Sequence, residues 1–132
     1  MTQLKGILPA LVTPFDKAGN VNYDMLGNII EFQLKAGVTG FVPLGSTGEY
    51  YALTNQERRQ VLSTVREVVG DRGVLIAGAN GACTREVIEQ VFASDDPRAD
   101  EGRRALERGR LARAPLVVAV VSRARPHAKI PA

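Results

Sequence analysis

The sequence predicts an α/β fold in which a parallel sheet is built from a βαβαβ repeat. Three apolar runs recur at equal spacing, since Leu8, Phe41 and Val74 follow one another at intervals of 33 residues. A helical pattern lies in each interval between these runs. Strands that are nearly continuous in apolar residues are typical of a parallel sheet, both faces of which are covered by helices or layers of side chains.

The predicted strands are residues 7–13, 41–44 and 74–77, each of which is rich in valine, isoleucine, leucine or phenylalanine. Two of them contain a proline, Pro9 and Pro43. Proline has no backbone N–H to donate to a neighbouring strand, which argues against a central place in a sheet. We nevertheless expect all three runs to pair.

The first helix is predicted from about Tyr23 to Ala36. Asn22 is a suitable N-cap, and Gly37 is a typical residue after a helix end. One apolar face is expected to pack on the sheet. It consists of Leu26, Ile29, Ile30 and Leu34.

The second helix is predicted to start at Thr54 and to end at Gly70. Thr54 and Glu57 have the spacing of a capping box, in which each side chain accepts a hydrogen bond from the other residue's backbone N–H. The apolar face is again expected to contact the sheet. It consists of Val61, Leu62, Val65, Val68 and Val69.

The loop Gly45-Ser46-Thr47-Gly48-Glu49 joins the second strand to the second helix. Glycines tolerate backbone angles that other residues avoid, so Gly45 and Gly48 could bring successive N–H groups towards a ligand. Ser46 and Thr47 add hydroxyl donors, and charge-assisted hydrogen bonds to a carboxylate are short and strong. The loop is therefore a candidate site for a small oxo-acid. An ordinary polar loop that caps the next helix is the alternative.

Three stretches together carry a family resemblance: residues 6–15 (GILPALVTPF), the loop 45–49 (GSTGE) and residues 74–78 (VLIAG). In order and spacing they resemble the N-terminal part of the dihydrodipicolinate synthase and N-acetylneuraminate lyase family, over about residues 4–92. The resemblance implies part of a (β/α)8 TIM barrel, about three βα units. It also implies a pyruvate-dependent lyase or synthase, which condenses or cleaves a 2-oxo acid through a Schiff base on a lysine.

The same resemblance suggests roles for individual loop residues. Ser46 corresponds to a hydroxyl that takes part in a proton relay with tyrosines, and Thr47 corresponds to one that binds the pyruvate carboxylate. The amide of Gly48 is expected to join them in binding the carboxylate. A Ser-Thr pair occurs in the lyase branch, whereas many synthases carry Thr-Thr, so the pair does not identify the aldehyde or sugar-acid partner.

No lysine has the position of the family's Schiff-base residue, which lies at the end of a later barrel strand. Such a lysine needs a lowered pKa so that its free amine can attack a ketone. We therefore expect the chain to be inactive by itself. Tyr50 and Tyr51 follow the loop directly and are interpreted as packing residues. The four lysines are Lys5, Lys17, Lys35 and Lys129.

The composition changes abruptly after Phe92, which divides the chain into residues 1–92 and 93–132. The first part carries eight basic and nine acidic residues and all seven aromatics, whereas the second carries nine basic residues, eight of them arginine, five acidic residues and no aromatic. Enrichment in arginine and alanine is what a shifted reading frame in a GC-rich gene would give. A genuine short protein with a basic tail, or a divergent half-barrel, is the alternative. A strand-like run appears at residues 116–121.

Other classes of site and partner are disfavoured. Cys83 is the single cysteine and His127 the single histidine, so neither a disulfide nor a zinc site is expected, and no cofactor is implied. No apolar run would span a bilayer and no signal peptide is recognisable, which predicts a cytoplasmic protein. The arginine-rich tail lacks the aromatics of single-strand readers, so no specific nucleic acid is expected.

The sequence leaves two functions open. One is a family lyase or its inactive remnant with a small 2-oxo acid such as pyruvate as its partner. The other is a non-catalytic half-barrel that binds a partner or a small carboxylate. Open sheet edges also predict self-association.

Overall fold

The computed structural model describes residues 5–80 and 118–123, which form two helices over a three-stranded sheet. The boundary predicted at residue 92 lies outside these residues. The elements are α1 (Tyr23–Lys35), β1 (Gly40–Phe41), α2 (Asn55–Val69), β2 (Val74–Ala79) and β3 (Val118–Arg123).

The sheet has the order β1-β2-β3, and β1 pairs parallel to β2 with Gly40 opposite Val74 and Phe41 opposite Leu75. This confirms the predicted parallel βαβ connection through α2. The two backbones approach closely, because a Cβ atom on Gly40 would lie 2.5 Å from the Val74 carbonyl oxygen. Only glycine fits at this position of β1.

The predicted first strand, residues 7–13, lies beside β1 but is not a regular strand. Its parallel pairing is a single bridge between Ala10 and Val42. Two hydrogen bonds flank that bridge, from the Leu11 N–H to the Val42 carbonyl at 3.0 Å and from the Val42 N–H to the Pro9 carbonyl at 2.9 Å. The direction and position were predicted correctly, but Pro9 removes a donor and shortens the pairing.

The second predicted strand is also shorter than expected. It was predicted over residues 41–44, whereas β1 ends at Phe41. Pro43 has no N–H to pair, and Leu44 has a φ angle of 60°, which turns the chain out of the extended conformation. The Pro43 carbonyl still accepts a 3.0 Å hydrogen bond from the Gly78 N–H, so the chain stays beside β2 up to the loop.

The fourth run forms a strand, but the prediction of its direction was wrong. It was expected over residues 116–121 in an open parallel sheet, whereas β3 spans Val118–Arg123 and runs antiparallel to β2 along the whole of that strand. An unpaired strand edge templates pairing with any suitable segment, and antiparallel pairing is slightly more stable per residue. The sheet therefore combines parallel and antiparallel neighbours.

Both helices begin where their capping residues predicted. The Asn22 side chain accepts a 2.9 Å hydrogen bond from the Met25 N–H at the start of α1. At the start of α2 the Thr54 N–H donates to the Glu57 carboxylate at 2.8 Å, and the Glu57 N–H donates to the Thr54 hydroxyl at 3.2 Å. The hydrogen bond from the Thr54 hydroxyl, followed by that from its backbone, lowers the pKa of Glu57. The capping box is thus confirmed.

The core lies where α1 and α2 pack together over the sheet. The predicted faces are confirmed, with Ile29, Leu34, Leu62 and Val68 half-buried at the rim. No helix in the described part of the chain is long and apolar enough to cross a membrane. The buried apolar residues that pack together are Leu11, Val21, Leu26, Ile30, Phe41, Leu44, Leu53, Val61, Val65, Val69 and Leu75. Ala79 is buried as well.

One surface ion pair ties the two helices together at their carboxyl ends. Arg72, in the turn after α2, donates to both carboxylate oxygens of Glu31 on α1, at 3.0 and 2.5 Å. Arg72 also donates to the Val68 carbonyl. The guanidinium lowers the pKa of the Glu31 carboxyl through these hydrogen bonds.

Candidate functional site

The candidate site is the loop 45–49, which follows the carboxyl end of β1. Residues Ser46–Gly48 form one turn of 3-10 helix, in which the Gly48 N–H donates to the Gly45 carbonyl at 3.0 Å and the Glu49 N–H donates to the Ser46 carbonyl at 3.1 Å. In parallel α/β sheets, ligands bind outside the carboxyl ends of the strands. The loop therefore lies at the edge of the sheet where a ligand is expected.

Two residues that are not glycine make the sharp bends of this segment. Leu44 has a φ angle of 60° and Glu49 one of 51°. The left-handed region costs a non-glycine residue about 1–2 kcal/mol, and such strain clusters at functional sites. Gly45, in contrast, is extended, with φ −81° and ψ −176°. The expectation that Gly45 would supply an unusual backbone angle is therefore wrong.

Gly48 is required for a different reason than expected, because it lies against the N-terminal segment. A Cβ atom at this position would be 2.8 Å from the Leu11 carbonyl oxygen and 3.4 Å from the Thr13 hydroxyl. Since the Gly48 N–H is already bonded to Gly45, a carboxylate that used this amide would compete with a bond of the turn. Its role as a ligand donor stays a prediction.

Thr13 contacts the loop from one side. It is only 7% exposed, and its hydroxyl donates a 2.8 Å hydrogen bond to the Gly48 carbonyl. We did not select Thr13 from the sequence. A hydroxyl at the end of the apolar run 7–13 was the available signal, because the next loop of a parallel sheet lies beside that end.

Asn80 contacts the loop from the other side. Its side-chain amide donates a 2.7 Å hydrogen bond to the Leu44 carbonyl. Gly78, two residues earlier on β2, permits the approach, because a Cβ atom there would lie 2.6 Å from the same carbonyl oxygen. We did not select Asn80 from the sequence either, although it follows the predicted strand 74–77 by three residues.

The side chains with predicted ligand roles are accessible. Ser46 and Thr47 are both exposed, so solvent and small solutes reach them. The two positions are adjacent in the 3-10 turn, at its amino end. The first N–H groups of a helical turn have no acceptor within that turn, which favours anions nearby. The relay and carboxylate roles of Ser46 and Thr47 stay predictions.

Lysines of the described residues lie outside the strands. Lys5, Lys17 and Lys35 are exposed, and Lys35 is the last residue of α1. Lys129 lies outside the described residues, as do Cys83 and His127. Within residues 5–80 and 118–123, no three histidine, cysteine, aspartate or glutamate side chains gather into a candidate metal site.

The two tyrosines after the loop differ in their surroundings. Tyr50 packs against the core, its carbonyl accepts a 3.0 Å hydrogen bond from the Arg58 Nε, and the Arg58 guanidinium lies 5.5 Å from the centre of its ring. Tyr51 is 67% exposed and makes an edge contact with Tyr50 at 5.6 Å between ring centres. The packing interpretation is confirmed for Tyr50 and wrong for Tyr51.

Comparison with known proteins gives one consistent result. A model of the dihydrodipicolinate synthetase family matches residues 3–96. The 4-hydroxy-tetrahydrodipicolinate synthase of Methanocaldococcus jannaschii is 45% identical over 92 residues, which are 69% of this chain and 32% of that protein. The chain thus spans about a third of the length of the curated relatives it matches.

Solved structures give the same answer. Dihydrodipicolinate synthase from Acinetobacter baumannii, solved in complex with pyruvate, has a TM-score of 0.67 and 32% identity over 75% of this chain and 32% of its own. The N-acetylneuraminate lyase of Mycoplasma synoviae has a TM-score of 0.60 and 32% identity over 64% of this chain and 30% of its own. Both the synthase and the lyase branches are therefore similar in structure to this chain.

Proposed function

Because the chain belongs to the dihydrodipicolinate synthetase family, we propose that its loop 45–49 binds the carboxylate of a small 2-oxo acid such as pyruvate. The observation that carries this proposal is the loop itself, an exposed Ser46-Thr47 pair at the carboxyl end of β1 between two strained residues, Leu44 and Glu49. The pyruvate complex of the Acinetobacter relative supports the choice of ligand.

In the proposed site, Thr47 donates to the carboxylate and Ser46 contributes to a proton relay. A charge-assisted hydrogen bond contributes about 1.5–3 kcal/mol. Two or three of them, less the cost of immobilising the ligand, correspond to millimolar affinity at best, since a millimolar dissociation constant is about −4 kcal/mol. Binding by this loop is therefore expected to be weak.

We propose further that the chain alone does not catalyse aldol condensation or cleavage. The family's Schiff-base chemistry needs a lysine amine next to the carbonyl carbon of the bound acid. Lys5, Lys17 and Lys35 are exposed and lie outside β1, β2 and β3. Their positions support the view that this part of the chain binds the acid without forming a covalent intermediate.

One observation favours the second candidate function, a non-catalytic binding module. In a (β/α)8 barrel all eight strands are parallel. The edge of β2 pairs here with the antiparallel β3. The antiparallel β3 occupies the edge of β2 to which the next parallel strand of a barrel would add. A closed catalytic barrel could not continue from this edge, and this supports a half-barrel that binds without catalysis.

The proposal is tested by titrating pyruvate into the ¹⁵N-labelled protein. We expect the Ser46 and Thr47 amide resonances to shift with a millimolar dissociation constant, and Ser46→Ala with Thr47→Val to abolish the shifts. Ser63→Ala, which removes an exposed serine hydroxyl on α2, is the matched control and should bind like the wild type. Shifts elsewhere and none at the loop would overturn the proposal.

Covalent chemistry is tested by borohydride trapping with pyruvate, followed by mass spectrometry. We expect the mass to remain unchanged, because borohydride adds a stable label only where a lysine has formed a Schiff base. A pyruvyl adduct on any lysine, Lys129 included, would contradict the proposed lack of activity and identify the reacting amine.

The change of composition after Phe92 supports the proposal that residues 93–132 arise from a shifted reading frame. The test is the nucleotide sequence beyond codon 92, read in all three frames. We expect another frame to encode further strand-helix repeats, including a tyrosine-bearing strand and a strand that ends in lysine. Without such a frame, a genuine basic tail is the better interpretation.

A further inference from the structure

We infer that Thr13 and Asn80 are positioning residues, which hold the loop 45–49 from both sides in the conformation that receives a carboxylate. The inference rests on the proposed function, because it concerns the same loop. Neither residue belongs to the loop, and neither is expected to touch the ligand. Each residue acts through a hydrogen bond from its side chain to a backbone carbonyl at one end of the loop.

Thr13 holds the carboxyl end of the turn. Its hydroxyl donates to the Gly48 carbonyl across 35 residues of sequence, and this hydrogen bond is buried. The bonded atom belongs to the last residue of the 3-10 turn, which also carries the N–H that closes the turn onto Gly45. Loss of the hydroxyl would leave the Gly48 carbonyl without this bond in a dry environment, which is costly.

Asn80 holds the amino end of the segment. Its amide donates to the carbonyl of Leu44, the residue with a φ angle of 60° that directs the chain from β1 into the loop. A strained backbone conformation persists only where the surroundings fix it. The side chain of Asn80, which follows the end of β2, provides such a constraint on the orientation of the Leu44 peptide group.

The two bonds together define the frame of the site. Thr13 follows the N-terminal segment and Asn80 follows β2, and these are the neighbours of β1 on its two sides. Ser46 and Thr47 lie between the two held carbonyls. The position of Ser46 and Thr47 at the sheet edge is therefore fixed from both neighbouring segments. A loop that is ordered in this way before its ligand binds loses less conformational entropy on binding.

The test uses substitutions that remove the donors with little change of shape. Thr13→Val and Asn80→Leu should each weaken pyruvate binding at least fivefold, read from the Ser46 and Thr47 amide shifts. They should also accelerate hydrogen exchange of the Gly48 and Glu49 amides in the ligand-free protein. Thr13→Ser keeps the hydroxyl and should restore both properties.

Thr39→Val is the matched control. The Thr39 hydroxyl also donates to backbone carbonyls, those of Lys5 at 2.7 Å and Ile7 at 3.2 Å, but at the opposite end of β1. Its hydrogen bonds are exposed and lie away from the loop, so pyruvate affinity and loop exchange should stay at wild-type values. A merely structural role for Thr13 would instead lower the melting temperature of Thr13→Val and leave its pyruvate affinity and loop exchange at wild-type values.

The outcomes separate this inference from the proposed function. Unchanged affinity and unchanged exchange in Thr13→Val and Asn80→Leu would overturn the positioning role. If the wild type binds no pyruvate, the proposed ligand fails, and the exchange rates still decide whether the two side chains order the loop. If Thr13→Val does not fold, the half-buried Asn80 carries the test through Asn80→Leu.

Discussion

Gly48 lies so close to Leu11 that a Cβ atom built on the glycine would be 2.8 Å from the Leu11 carbonyl oxygen. Side chains do not fit at such a distance from a backbone atom. The loop that carries Ser46 and Thr47 is therefore seated directly on the end of the N-terminal segment. Its position depends on the absence of a side chain at Gly48 more than on glycine's conformational freedom.

The first prediction follows from this contact. Gly48→Ala should lower the free energy of unfolding by about 1–3 kcal/mol, the usual cost of overpacking, because the loop or the segment must move. Gly45→Ala is the matched control, since Gly45 is extended and no atom lies within 4 Å of its Cβ position. Urea denaturation measures both. Equal stability of the two variants would contradict the close contact.

The second prediction concerns the core beneath α1. Ile30 is completely buried, whereas Ile7 is 68% exposed. Ile30→Val should therefore cost about 0.5–1.5 kcal/mol, since removal of one buried methylene group also leaves a small cavity. Ile7→Val should stay within about 0.5 kcal/mol of the wild type. Denaturant midpoints measure the effect of the same chemical change in the two environments. A larger loss of stability for Ile7→Val than for Ile30→Val would contradict the position of the core.

The helices could be predicted from the sequence because their signals are local. The capping interactions of Asn22 and of the Thr54–Glu57 pair involve residues three apart. The apolar periodicity of each helix is likewise contained in that helix's own sequence. α1 starts at the predicted Tyr23, and α2 starts at Asn55, directly after its predicted capping residue Thr54. α1 ends at Lys35, one residue before the prediction, which is within the usual fraying of a helix end.

The strands and the supports of the loop were harder to predict, because they depend on distant residues. Apolar composition located β1, but its early end reflects the positive φ angle of Leu44, which leucine rarely adopts. The antiparallel direction of β3 is seen only in its pairing with β2, which is distant in the chain. The loop was recognisable from its residue types, whereas the bonds of Thr13 and Asn80 span 35 and 36 residues, so no local pattern identifies the carbonyl that either side chain binds.

The third prediction concerns the pH dependence of the capping box. Hydrogen bonds from Thr54 lower the pKa of Glu57 below its ordinary value of 4.5. The ionised carboxylate therefore stabilises the folded state above pH 4.5, and this contribution is lost as the pH falls through the lower pKa of the folded protein. Glu57→Gln should lose less stability than the wild type across that range.

Chemical denaturation at a series of pH values measures this difference. Other carboxylates, such as Glu31 beside Arg72, add an acid dependence of their own that the wild type and Glu57→Gln share. The difference between the two proteins isolates Glu57. In a Thr54→Ala background the same difference should shrink, because the first cause of the lowered pKa is gone. Parallel stability profiles in the original background would contradict the role of the carboxylate.

The last prediction concerns the edge of β2, which pairs with β3 through six residue pairs, from Val74 with Arg123 to Ala79 with Val118. β2 has the sequence VLIAGA, without charge or proline. An uncharged edge of this kind pairs readily with another chain. A chain that ends at residue 117 should therefore associate as its concentration rises, whereas a chain that ends at residue 123 keeps β3 and should behave like the full-length protein. Light scattering after size-exclusion chromatography measures the mass of each.

If both truncated chains have the same mass at every concentration, β3 does not protect this edge. If the full-length protein also associates, the contact must use another surface, and the outer side of the N-terminal segment beside β1 is the next edge to test.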